Sequence, residues 1–161
     1  MTAAWPEEVE RVAAVLRGAA VDARIEEFAQ ETPTARDAAE AIGCELAQIV
    51  KSVVLVCDGA FVLALVPGDR RADEKAIGEA VPARDVRTAA ADEVLHATGF
   101  RPGAVAPFPQ RAITQTLIDR GVFRHAVVWI GAGTDHHMAA LPPAELQRVT
   151  RARTVDLGSH G

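Results

Sequence analysis

Apolar residues Val9, Val12, Ala13, Leu16 and Ala20 recur every three or four positions, a spacing that predicts an N-terminal helix. Pro6-Glu7-Glu8 suits its first turn, where proline forfeits no hydrogen bond and carboxylates meet the positive end of the dipole; Gly18 marks its end. Ala23–Phe28 alternates weakly, as an edge strand does. Thr34 reads as the N-cap of a helix over Ala35–Ile42, with Asp37 at the capping-box position and Gly43 as the stop. Two apolar runs follow, Ser52–Cys57 and Ala60–Val66, joined by Asp58-Gly59, a dipeptide suited to the positive φ angles of a tight hairpin. Both runs are apolar on both faces, so helices are expected to cover the sheet. Short helices over Glu74–Ala80 and Ala90–Ala97, strands over Ala112–Ile118 and Ala126–Ile130, and a closing helix over Pro142–Val149 complete the pattern.

No repeat or linker interrupts this order. The expectation is one α/β (mixed α+β) domain over residues 1–157, with a mixed or antiparallel central sheet flanked by helices, and a flexible tail over 158–161. A doubly wound dinucleotide fold is disfavoured, because the clearest strand pair is a hairpin and no GxGxxG follows a first strand. With five Phe, two Trp and no Tyr, aliphatic side chains must fill the core. The formal net charge of −5 argues against broad, nonspecific nucleic-acid binding, yet leaves room for a small site for one nucleotide end. No apolar run approaches the ~20 residues of a membrane span, and the first residues lack a signal peptide's basic and apolar regions. A cytoplasmic location follows as an expectation. Cys44 and Cys57 form neither a CxxC pair nor a disulfide framework.

Lys51 is the first candidate for chemistry. It stands at the entrance of the apolar run Ile49–Cys57, and half a chain later comes a loop rich in glycine and proline, Thr98–Pro107. A lysine there can simply cover the sheet end with its stem. Paired with a loop whose backbone N–H groups are open to a ligand, it becomes a site for an anionic or carbonyl-bearing group, with oxyanion stabilisation as the chemistry. Asp135-His136-His137 offers metal-ligand types, but neighbouring strand residues point to opposite faces and no third ligand sits at a recognisable spacing. Neither a metal nor a cofactor is expected. Ser52 lacks a GxSxG elbow or a Ser-x-x-Lys pattern, and Gly68-Asp69-Arg70-Arg71 lacks the ending of a P-loop.

In this order, Thr34-Ala35 with Ala38-Ala39 and Gly43, Ile49-Val50-Lys51-Ser52, Thr98-Gly99-Phe100 with Gly103 and Pro107, Gly131-Ala132-Gly133 and Leu141–Leu146 resemble the YbaK/ProX family of aminoacyl-tRNA deacylases, related to the editing domain of prolyl-tRNA synthetases. The resemblance spans roughly residues 20–157. It implies a curved central sheet and a hydrolase that clears an amino acid from mischarged tRNA, by water attack assisted by the substrate's ribose hydroxyl. The apolar Ala104 and Ala106 favour a small aliphatic or thiol side chain. It implies that Lys51 holds the substrate and that backbone N–H groups around Gly103 and Ala104 bind the scissile carbonyl. Phe100, Val105, Pro107, Gly131 and Gly133 become substrate-binding candidates. The implied partners are the tRNA acceptor end and a synthetase, for a monomer or weak homodimer. The loop departs from the family, reading Gly103-Ala104-Val105-Ala106-Pro107 where YbaK-like members have Gly-Gly-x-Ser-Pro, and a YbaK-like aspartate falls at Met138. Which amino acid is removed is therefore not inherited from either branch. A noncatalytic module that binds aminoacyl or nucleotide ends is the alternative.

Overall fold

The computed structural model describes residues 5–160, the last three through their backbone alone. Residues 1–4, part of the segment read as lacking a signal peptide, and Gly161 lie outside the described residues. Helix α1 (Glu7–Gly18) buries Val9, Val12, Ala13 and Leu16, while Ala20, read as continuing that stripe, lies past the helix end, exposed and at φ 55°. Strand β1 (Arg24–Glu27) is indeed an edge strand. In α2 (Ala35–Ile42) the Thr34 hydroxyl oxygen accepts the Asp37 N–H at 3.1 Å, and Gly43 ends the helix with φ 80°.

Strands β2 (Val50–Cys57) and β3 (Ala60–Pro67) form the expected hairpin, with Asp58 and Gly59 both at positive φ. Beyond them lie β4 (Arg70–Ala72), α3 (Glu74–Ala80), β5 (Val86–Thr88), α4 (Ala91–Thr98), β6 (Ile113–Asp119), β7 (Val128–Gly131), β8 (His137–Leu141), α5 (Pro143–Thr150), β9 (Arg153–Val155) and β10 (Gly158–His160). The main sheet is mixed, in order β5-β2-β3-β6-β9, with β3–β6 and β6–β9 parallel. A second, antiparallel sheet runs β1-β8-β7. The segment expected to be a free tail runs antiparallel to β4 over 158–160. No helix among the described residues is long and apolar enough to cross a membrane.

Strand alternation sorts the core into layers. On one face of the main sheet Val54, Leu63, Leu65 and Ile118 pack against α1, α5 and the inner face of the second sheet, where Ile130 and Ala139 lie. On the other face Leu55, Val62, Ala64 and Leu117 pack against Ile77 of α3. Burying one such Leu or Ile side chain contributes about 2 kcal/mol. The outer face of the second sheet carries Trp129, Met138 and Ala140, which cover Ala38 and Ala39 of α2. The two sheets meet where Ile49 bridges Trp129, just upstream of Lys51.

Candidate functional site

Strand β2 is covered along only half of one edge. Its neighbour β5 pairs with Leu55, Val56 and Cys57, and the last bond on that side runs from the Ala89 N–H to the Val54 carbonyl. Alternate residues of an antiparallel strand direct both backbone groups to the same side. The N–H and C=O of Ser52, two positions from Val54, therefore face the uncovered edge. A cavity of about 340 Å³ lies there. Its walls are Lys51 and Ser52 from β2, Thr34 and Ala38 from α2, Gly103 and Val105 from the Pro/Gly loop, and Gly131, Thr134 and Met138 from the β7–β8 region. Fold and site are thus linked: the stretch of β2 that β5 leaves unpaired supplies part of the wall of the cavity.

Lys51 and Gly103, paired from sequence across half the chain, share this cavity. Lys51 is half-buried and its ammonium donates to the Arg70 carbonyl at the start of β4. Burial pushes its pKa down from the ordinary 10.5; Asp69 opposes that shift and Arg71 adds to it. The Ser52 hydroxyl is buried without a hydrogen-bond partner. The remaining polar groups on the wall include the hydroxyls of Thr32, Thr34 and Thr134, and Lys51 is the one ionisable side chain among the described wall residues.

A second cavity, of about 440 Å³, adjoins the first and shares Pro33, Gly103 and Thr134 with it. Phe100, Ala104 and Gly133 line this one rather than the first. The Ala104 N–H donates to the Arg101 carbonyl at 2.9 Å, closing a turn, so that amide is already engaged. Pro107 is buried, lines neither cavity, and accepts a hydrogen bond from the Gln110 side chain at 3.2 Å. Gly131 and Gly133 have packing duties as well. A β-carbon would lie 2.5 Å from the Val105 carbonyl oxygen at Gly131 and 2.8 Å from the Glu8 carbonyl oxygen at Gly133.

Sequence reasoning missed Thr134, and weighed His137 only as a metal-ligand type rather than as the partner of that hydroxyl. The Thr134 hydroxyl oxygen accepts the His136 N–H at 3.1 Å and lies 2.5 Å from Nδ1 of His137. His137 is buried, 3% exposed, with its Nε2 3.4 Å from a Glu27 carboxylate oxygen and the Trp5 ring perpendicular to its own, centroids 5.6 Å apart. Burial lowers its pKa below the ordinary 6.5, Glu27 opposes this, and His136 adds to it. One proton is shared between the Thr134 hydroxyl and Nδ1, while the buried Nε2 has no hydrogen-bond partner. No motif announces this pair, because one hydroxyl beside a histidine has no spacing of its own. His136 instead faces outward beside Glu31 and Asp135, with potential ligand atoms within 4.8 Å of one another.

The sequence profile of the aminoacyl-tRNA editing domain matches residues 29–149, a stretch that contains both cavities' loops and every element from α2 to α4. The chain belongs to the aminoacyl-tRNA editing domain family. The editing-domain fold extends over nearly the whole chain. A solved structure described as a candidate trans-editing enzyme for prolyl tRNA synthetase superposes with a TM-score of 0.90, at 30% identity, covering 97% of this chain and 99% of that one. A proline–tRNA ligase from Trichlorobacter lovleyi is 33% identical over 137 residues, 84% of this chain and 24% of the ligase. One from Lactobacillus gasseri is 39% identical over 99 residues, 61% of this chain and 18% of the ligase. The editing domain described here thus spans a quarter or less of the length of these curated relatives. The mixed α/β fold and the family resemblance read from the motifs both hold.

Proposed function

We propose that this editing domain is a hydrolase that removes a small, uncharged amino acid from mischarged tRNA in trans. The observation that carries the reading is the shared cavity of Lys51 and Gly103, with a wall of hydroxyl and aliphatic groups. About 340 Å³ is near the lower end of ligand pockets and suits a compact acyl group. No wall residue among those described carries a carboxylate, so a cationic side chain would find no counter-charge. Likeness to a candidate trans-editing enzyme, together with the ligase relatives, supports a tRNA ester and points to tRNA for proline as the first to try.

In this mechanism Lys51 anchors the substrate, and water adds to the ester carbonyl carbon. The carbonyl π electrons move to oxygen, where the Gly103 N–H and the Lys51 ammonium stabilise the oxyanion. The neighbouring ribose hydroxyl takes up a proton from the attacking water as it passes its own to the departing oxygen. The carbon–oxygen bond to the ribose breaks, leaving the free amino acid and an intact ribose diol. No protein nucleophile is needed. Ser52, the obvious alternative, has no base within hydrogen-bond reach of its hydroxyl. Position and electrostatics supply the rate.

The test is a panel of mischarged tRNAs, beginning with alanine and cysteine esters of tRNA for proline, scored for ester loss with time. Turnover of at least one small-amino-acid ester is expected. Binding without turnover across the panel would favour a noncatalytic end-binding module instead.

A further inference from the structure

The second cavity contains cationic groups that the hydrolytic step does not use. Arg11 of α1 reaches its wall, and one terminal nitrogen donates to the Gly99 carbonyl at 3.2 Å. Its guanidinium lies 4.8 Å from the centre of the Phe100 ring, and its Nε is buried without a hydrogen-bond partner. Arg11 is therefore held on two sides with donor capacity left over, since a guanidinium carries five N–H groups. Arg101 lines the same cavity from the exposed loop. The Arg111 guanidinium packs on Gly99 from outside, where a β-carbon would come within 2.7 Å of its Nε. Two carboxylates, Glu8 and Asp135, also line the cavity; the Glu8 backbone packs on Gly133 and Asp135 lies 3.4 Å from His136. Positive charge thus gathers around Gly99, and negative charge around Gly133 to Asp135.

From this arrangement we infer that the second cavity is a phosphate subsite, in which Arg11 and Arg101 pair with the phosphodiester on the 5′ side of the terminal nucleoside. The inference rests on the deacylase reading for its orientation. Two cavities border that of Lys51. One of about 310 Å³ shares Ser52, Val53, Gly103 and Val105 with it and has no charged side chain among the described residues of its wall. The rim of Pro33, Gly103 and Thr134 leads instead into the cavity of Arg11, the one of the two with cations for a phosphate that follows the esterified ribose. Forked guanidinium donors suit a phosphate better than a ribose or a base. The profile match begins at residue 29, so the family assignment itself brings no role for Arg11.

Two small esters test the subsite: 3′-O-alanyl-adenosine, which lacks a phosphate, and 3′-O-alanyl-adenosine 5′-monophosphate. Wild-type protein should hydrolyse the phosphorylated ester with a kcat/KM about tenfold higher, as one charge-assisted contact implies. Arg11→Gln should erase most of that preference, and Arg101→Gln should reduce it without relying on a buried site. An equal loss on both esters, or an unchanged preference, in both variants would overturn the inference. If wild-type protein hydrolyses neither ester nor any mischarged tRNA, the deacylase reading fails separately. The subsite is then judged by titrating adenosine 5′-monophosphate against adenosine. Tighter binding of the nucleotide, lost in Arg11→Gln, would support it, and equal binding of the two would overturn it.

Discussion

Gly131, at the end of β7, lies so close to the Pro/Gly loop that a β-carbon would sit 2.5 Å from the Val105 carbonyl oxygen. Val105 and Gly103 belong to the same loop and line the same cavity, so the strand end fixes the height of that wall over Lys51. Backbone position here follows from the absence of one side chain.

Gly131→Ala should accordingly push the loop away from the cavity. Overpacking of this kind costs about 1–3 kcal/mol, which a thermal melt would register as a lowered Tm. Deacylation measured well below that Tm should still fall by about tenfold or more, because a carbonyl-binding amide displaced by about 1 Å loses its alignment. Full activity in a folded variant would mean that the loop height does not matter.

His137 carries a pH dependence. Its folded pKa is lowered below the ordinary 6.5 by burial. Between the two values the unfolded chain binds more protons than the folded one, so stability is full above pH 6.5 and is lost as pH falls through the folded pKa. Denaturant unfolding of wild type should show this loss below pH 6.5, and His137→Gln should flatten it. Equal pH slopes in the two proteins would contradict a neutral buried ring.

Lys51 is shifted in the same direction, at higher pH. Burial outweighs Asp69 and draws its pKa below 10.5. An isotope-labelled lysine followed by NMR, assigned through Lys51→Met, should give a midpoint below 10.5. A midpoint at or above 10.5 would show that the ammonium is better solvated or better paired than its surroundings imply.

Much of this architecture was legible in short-range signals. Thr34 and Gly43 bounded α2 because capping chemistry is local, and Asp58-Gly59 specified the hairpin because its turn demands positive φ. Three-residue strands such as β4, β5 and β10 were not legible, since their existence depends on partners far away in sequence: β10 is ordered by Arg70–Ala72. The same reason hid half of the site. Lys51 and the glycine loop were paired as a cation and a run of open amides, the family motifs then singled out Gly103, and Gly103 does line the cavity of the lysine. Ala104, though, spends its amide on a local turn with Arg101, and Phe100 and Gly133 belong to the neighbouring cavity. Thr134 and Arg11 gave no signal, because each draws its meaning from a residue, His137 or Gly99, that only folding places beside it.

The most direct test of the account is the single-turnover rate of ester hydrolysis on a mischarged tRNA that the wild-type protein clears, measured for wild type and Lys51→Ala. Loss of a principal electrostatic contact predicts a fall of at least ~100-fold, with an unchanged circular dichroism spectrum and a cooperative melt. A folded Lys51→Ala protein that deacylates at the wild-type rate would contradict the assignment of Lys51 as the substrate anchor.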